Sequence, residues 1–154
     1  MKIDTLIISA FPGTGKSYFC EHAKDLVCLD SDSSKFNKDE FPKNYIQYIK
    51  EKYRKVNIIF VSTHKEVRDA LIKEKMKPIF VYPHRSLKDE YLRRYKERGN
   101  SEKFIELLDK NWDTWIDEMD EISVDNRENI YVFHDKNNYL FDGYEYFKSI
   151  LKIW

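Results

Sequence analysis

A three-layer α/β fold, a five-stranded parallel sheet flanked by helices, is what the sequence predicts, and three observations predict it. Five short apolar runs, mostly β-branched or aromatic, show little polar alternation, as strands buried on both faces do. Between them apolar residues recur at helical spacing, and strand–helix alternation of this kind builds a parallel sheet with right-handed crossovers. The 154 residues contain no repeat, low-complexity tract or Pro/Gly/Ser linker at which to divide them, so residues 1–154 form one domain, long enough to bury a core without disulfide or metal staples.

The first run is Thr5 to Ala10, followed by Phe19, Cys20, Ala23, Leu26 and Val27 on a 3.6-residue period. The second run is Leu26 to Leu29. Tyr45, Ile46, Tyr48, Ile49 and Tyr53 suggest a helix ahead of the third run, Val56 to Val61. Thr63 and Glu66 have the spacing of a capping box for a helix carrying Val67, Ala70 and Leu71. The fourth run, Ile79 to Tyr82, leads into a charged helical segment. The most periodic stretch then follows, with Phe104, Leu107, Leu108, Trp112, Trp115, Ile116 and Met119 on a stripe that reads as core packing. Ile130 to Phe133 is the fifth run. In such sheets ligands bind beyond the carboxyl ends of the strands.

Composition narrows the function classes. Lys+Arg and Asp+Glu balance at 27 each, with aromatic residues at 16% and apolar residues at 42%, more than a disordered chain carries. A net charge of zero argues against binding nucleic acid or an anionic membrane by bulk charge. Met1-Lys2 runs directly into a strand-like segment, without the apolar stretch of a signal peptide, and no run approaches the roughly 20 residues of a membrane span. Cys20 and Cys28 read as reduced thiols, which points to a cytoplasmic protein.

After the first strand comes Ala10-Phe11-Pro12-Gly13-Thr14-Gly15-Lys16-Ser17, and a helical pattern begins at once. This has the form of a P-loop with Ala10 in place of the first glycine. Gly13 and Gly15 remain where the backbone must turn and approach phosphate oxygens. Loop amides and the helix start would donate to a polyphosphate, Lys16 would reach the β- and γ-phosphates, and the Ser17 hydroxyl would ligate Mg²⁺. Pro12, Gly13, Thr14, Gly15, Lys16, Ser17 and Tyr18 are thus the candidate ATP-binding residues. The second run ends in Asp30-Ser31-Asp32-Ser33-Ser34, which alone would read as a turn. Beside a phosphate loop it reads as the source of the carboxylates, because the third run ends in Ser62-Thr63 without an aspartate.

With these residues in order, the chain resembles the small P-loop kinases: the shikimate, gluconate and nucleoside monophosphate kinases. The resemblance rests on the P-loop, on the Asp30-Ser31-Asp32 end of the second strand, and on Val67-Arg68-Asp69-x-Leu71 followed by Phe80-Val81-Tyr82. It implies ATP and Mg²⁺ as cofactors. It also implies Asp30 on the metal side and Asp32 on the acceptor side, although the two roles stay interchangeable. Arg68, with His64, would hold the acceptor's phosphate, the alternative for Arg68 being a surface salt bridge. The segment from Arg85 to Gly99 holds six basic residues against three acidic ones. Helical spacing puts Leu87, Tyr91, Arg94 and Arg98 on nearly one face. By resemblance, residues of about 85–100 form a mobile helical lid whose Arg94 and Arg98 stabilise the transferring phosphoryl group, against the alternative of a solvated helix face.

The loop Phe133 to Asn138 would border the adenine, again by resemblance. His64, His84 and His134 follow strands without metal-ligand spacing, so turn or capping roles are favoured. Asp109, Asp113, Asp117, Glu118, Asp120, Glu121 and Asp125 form an acidic stretch expected to clothe the outside of the Trp-bearing helix. The function these readings favour is an ATP-dependent kinase of a small phosphate-bearing acceptor, a nucleoside or deoxynucleoside monophosphate. The alternatives are a polynucleotide 5′-hydroxyl kinase and an acceptor-independent ATPase or switch. No membrane partner is expected, and nothing in the sequence determines an oligomeric state.

Overall fold

The computed structural model describes residues 5–125 and 129–152, with the side chains of 123–125 left outside that description. Met1-Lys2 and the Asp125 side chain, on which two expectations rest, therefore lie outside the described residues. In chain order the elements are β1 (Leu6–Ala10), α1 (Lys16–His22), β2 (Cys28–Asp30), α2 (Lys43–Lys52), β3 (Ile58–Val61), α3 (Lys65–Lys73), β4 (Ile79–Pro83), α4 (Lys88–Glu97), α5 (Glu102–Asp125), β5 (Ile130–Phe133) and α6 (Tyr144–Ile150). Short 3₁₀ turns occupy Ser33–Lys35, Arg85–Leu87 and Leu140–Gly143.

All five strands pair in parallel in the order β2-β3-β1-β4-β5. The chain leaves β1, builds β2 and β3 on one side, then crosses to build β4 and β5 on the other. Strand order thus reverses at β1, and a crevice opens at its carboxyl end. Successive residues of β1 feed opposite cores: Ile8 joins a cluster with α1, α4, α5 and α6, and Ile7 joins one with α2 and α3. In β3, Ile58 and Phe60 face the first cluster while Ile59 and Val61 face the second. The three central strands are covered on both faces, which is why they carry unbroken apolar runs, whereas the edge strands β2 and β5 are only partly buried.

Several local expectations need correction. The second strand begins at Cys28 because Leu26 N–H closes a turn onto the Ala23 carbonyl, which leaves Val27 55% exposed. The Thr63–Glu66 capping box does not form: His64 is the α3 N-cap and no side chain caps the helix. In α5, Leu108, Trp112, Ile116 and Met119 are core, but Leu107 is exposed and Phe104 and Trp115 are only partly buried. The expected lid is a packed wall, with Tyr91 and Tyr95 of α4 fully buried in the core. The acidic stretch does clothe the outside of α5, Asp109, Asp113, Asp117, Asp120 and Glu121 being exposed, and it has partners there: Arg85 pairs with Asp113, Asp117 and Asp120, Lys88 with Asp109, and Arg68 with the half-buried Glu118. Among the described residues no helix is long and apolar enough to cross a membrane. Cys20 and Cys28 are free, half-buried thiols.

Candidate functional site

The crevice at the end of β1 is a cleft of about 960 Å³, at the upper end of the volumes typical of small-molecule sites. It is lined by the loop after β1, the end of β2, the start of α3, the α4–α5 junction and the inward side of α5. The loop is held by its carbonyls. Phe11 O accepts from Thr14 Oγ1 (2.8 Å), Pro12 O from Tyr95 Oη (2.7 Å), Gly13 O from Arg94 Nη1 (2.8 Å) and Thr14 O from Leu140 N (2.9 Å). Across a trans peptide the carbonyl and the following N–H point opposite ways. The amides of Gly13, Thr14 and Gly15 therefore turn away from those donors.

Gly13 and Gly15 have φ of 91° and 95°, in the left-handed region. A Cβ on Gly13 would lie 2.9 Å from the Tyr95 ring, and one on Gly15 would lie 3.2 Å from Tyr139. Both positions exclude side chains by conformation and by contact. Lys16 points into the cleft and is largely buried. Burial lowers its pKa from the ordinary lysine value, Asp30 opposes that shift, and Arg98 adds to it. An anion bound here would relieve both costs.

Ser17 Oγ lies 3.5 Å from Asp30 Oδ2, so a hydroxyl and a carboxylate stand side by side at the cleft edge. That pair fits the protein share of a Mg²⁺ shell, which otherwise consists of phosphates and water. Among the described residues no group of three or more His, Cys, Asp or Glu is placed to hold a metal ion. Asp32 caps the 3₁₀ turn, its Oδ1 accepting from Ser34 N (2.9 Å) and Ser34 Oγ (2.7 Å). Those bonds hold its carboxyl below the usual carboxylate range. The turn reading and the cleft reading are therefore both true of Asp32, since Oδ2 takes no part in the cap and the residue lines the cleft.

Two arginines differ from expectation. Arg94 is buried, with Nη1 on Gly13 O, Nη2 on the carbonyls of Lys136 (2.7 Å) and Asn138 (3.2 Å), and Nε on Glu90 (2.9 Å). Its guanidinium stacks between the rings of Tyr91 and Tyr139. It binds protein, not phosphate, and it fastens the loop to α4 and to the segment after β5. Arg68 is neither a surface pair nor an unengaged phosphate clamp. It is 4% exposed, with Nε on Thr63 O and Nη2 on Glu118 Oε2 at 2.7 Å. Arg98 lines the cleft over the Tyr95 ring, with Nε on Asn100 Oδ1.

His64 lines the cleft, and burial lowers its pKa below the ordinary imidazole value. His84 caps the Arg85–Leu87 turn through Nδ1, and its ring lies against His134. Tyr18 also lines the cleft. Of the segment expected to border the adenine, Lys136 and Asn138 lend their carbonyls to Arg94, while the next residue, Tyr139, covers Gly15.

Sequence reasoning missed four contributors. Tyr45 Oη donates to Ser31 O (2.7 Å) and accepts from Ser62 N (3.4 Å), pinning the ends of β2 and β3 together. Ser31 Oγ is buried in the cleft wall and has no hydrogen-bond partner. Trp115 and Glu118 face the cleft from α5. Only Glu118 left a signal, as a carboxylate between Trp115 and Met119 on an otherwise apolar stripe. Comparison with protein-family models, curated protein sequences and solved structures gives no match to the chain.

Proposed function

We propose that the chain is a phosphotransferase that moves the γ-phosphoryl group of ATP, with Mg²⁺, to a small phosphate-bearing acceptor, a nucleoside or deoxynucleoside monophosphate. One observation carries this reading: a glycine loop held by its carbonyls shares a single cleft with Lys16, the Ser17–Asp30 pair and Asp32. Loop amides bind the polyphosphate, and Lys16 neutralises charge on its β/γ oxygens. Ser17 Oγ and the Asp30 carboxylate would hold Mg²⁺, which would supply further charge neutralisation when bound. Asp32 Oδ2 orients the acceptor by accepting from one of its hydroxyls, while a phosphate oxygen of the acceptor, already ionised at neutral pH, bonds to the γ-phosphorus and the bond to the β–γ bridging oxygen breaks, its electron pair leaving with ADP. Arg98 and His64 face the acceptor phosphate, Arg68 being engaged with Glu118. Such a transfer needs positioning and electrostatics more than covalent help. A cytoplasmic setting, where ATP and reduced thiols occur together, suits the free Cys20 and Cys28.

ADP release followed across a panel of nucleotides, sugars and shikimate tests the reading. Acceptor-stimulated turnover is expected with a nucleoside monophosphate, and Asp32→Asn, by loosening the acceptor's position, should lower it about 10²-fold while ATP still binds. Phosphate transfer only to an oligonucleotide 5′-hydroxyl would replace this acceptor with a polynucleotide. Hydrolysis indifferent to any acceptor would replace the kinase with an ATPase.

A further inference from the structure

The cleft extends past the phosphate loop to a wall on α5. There Trp115, Glu118 and Met119 stand at i, i+3 and i+4, one helical face. On this face of α5 Glu118 stands between apolar side chains, its own side chain 31% exposed, with Arg68 of α3 against it. Arg68, buried to 4% and itself anchored on the Thr63 carbonyl, holds Glu118 Oε2 at 2.7 Å. Two rotamer-rich side chains are thus immobilised before any ligand arrives, which lowers the cost of recognition. An ionised carboxylate only accepts hydrogen bonds, and its two oxygens offer about four lone-pair sites. With one site on Arg68, Oε1 remains for a ligand.

We infer that Glu118 is the base-reading carboxylate of an acceptor subsite, and that the acceptor's base is guanine. The inference rests on the kinase reading for the word acceptor, but the subsite itself is a matter of binding. Guanine presents a ring N–H and an exocyclic amino group side by side, two donors that a carboxylate meets together. Adenine sets its amino group beside an acceptor nitrogen, cytosine does the same, and uracil flanks its single N–H with two carbonyls that repel the carboxylate. The indole of Trp115 and the side chain of Met119 offer apolar contact for the base.

Calorimetric titration of the full-length chain with GMP, IMP, AMP, CMP and UMP, run beside the ADP-release assay, tests this. GMP should bind at least about tenfold more tightly than AMP, CMP and UMP, and IMP, which keeps the ring N–H and lacks the amino group, should fall between. Glu118→Gln should reduce the GMP preference to about threefold or less, because the amide turns a donor toward the base's donors. Equal binding of all five, a tighter base other than guanine, or an unchanged preference in Glu118→Gln overturns the inference. Should Glu118→Gln fail to fold, the wild-type ranking still decides, and Trp115→Leu should weaken every base without reordering them. A GMP preference without phosphoryl transfer keeps the subsite and removes the kinase reading. Transfer to all monophosphates alike does the reverse.

Discussion

Ser31 sits between the two cleft aspartates with its hydroxyl buried and unbonded. A buried polar group without a partner costs about 1–3 kcal/mol, so the side chain is a local defect of the fold. Ser31→Ala is expected to raise the melting temperature of the protein by roughly 2–4 °C. A lower melting temperature in thermal scans would show that Ser31 has a structural partner instead. Lys16 follows the same logic, being a cation whose pKa burial lowers. Residues of this kind differ in legibility. The glycines, Lys16 and Ser17 are readable because spacing and neighbours define them, whereas Ser31 and Tyr45 matter through what does or does not meet their hydroxyls. Arg68 was recognised as important, but its partner, 50 residues away, could not be read from spacing.

At the scale of the element, α4 decides how the phosphate loop is held. Tyr95 and Arg94 take the carbonyls of Pro12 and Gly13, and Glu90 orients Arg94 while also pairing with Arg93. Those contacts lower the Glu90 carboxyl from its ordinary 4.5 to about 2, bonding to Arg93 being the largest cause. A carboxyl whose folded pKa is depressed contributes stability that is present above its unfolded pKa and is lost as pH falls through the folded one. Glu90 should therefore contribute in full above about pH 4.5 and lose that contribution between there and about pH 2. Glu90→Gln is expected to cost about 1–3 kcal/mol at pH 7 and to flatten the acid limb of denaturant-derived stability. A limb of unchanged steepness would remove Glu90 from the account. The sequence shows the inward stripe of Leu87, Tyr91, Arg94 and Arg98, since periodicity reports which side packs. It cannot show that the stripe packs on the loop itself, and a run of six bases invited the reading of a phosphate-covering lid.

On the scale of the whole molecule, the parallel sheet and its strand sites were legible because burial on both faces imposes unbroken apolar runs. The charge pattern was legible only in part. The acidic stretch of α5 is the solvated face it looked like, with the side chains of Asp109, Asp113, Asp117 and Asp120 more than half exposed. The sequence did not show that Asp113, Asp117 and Asp120 surround Arg85, or that Glu118, among the described residues of the stretch, lines the cleft. Such pairs form between elements that the strand order brings together, and that order appears only in three dimensions. The formal neutrality of the chain is thus in good part a matter of internal pairing.

The Arg68–Glu118 contact also joins α3, which follows β3, to α5, which follows β4, across the reversal point at β1. It is a crossbrace between the two wings of the sheet. Local opening of either wing would strand a buried charge, so the two helices should open as one cooperative unit. In native-state hydrogen exchange, the slow amides of α3 and α5 are expected to share one opening free energy. Glu118→Gln should uncouple them, and α3 should become the faster exchanger, because it contributes the smaller share of buried side chains.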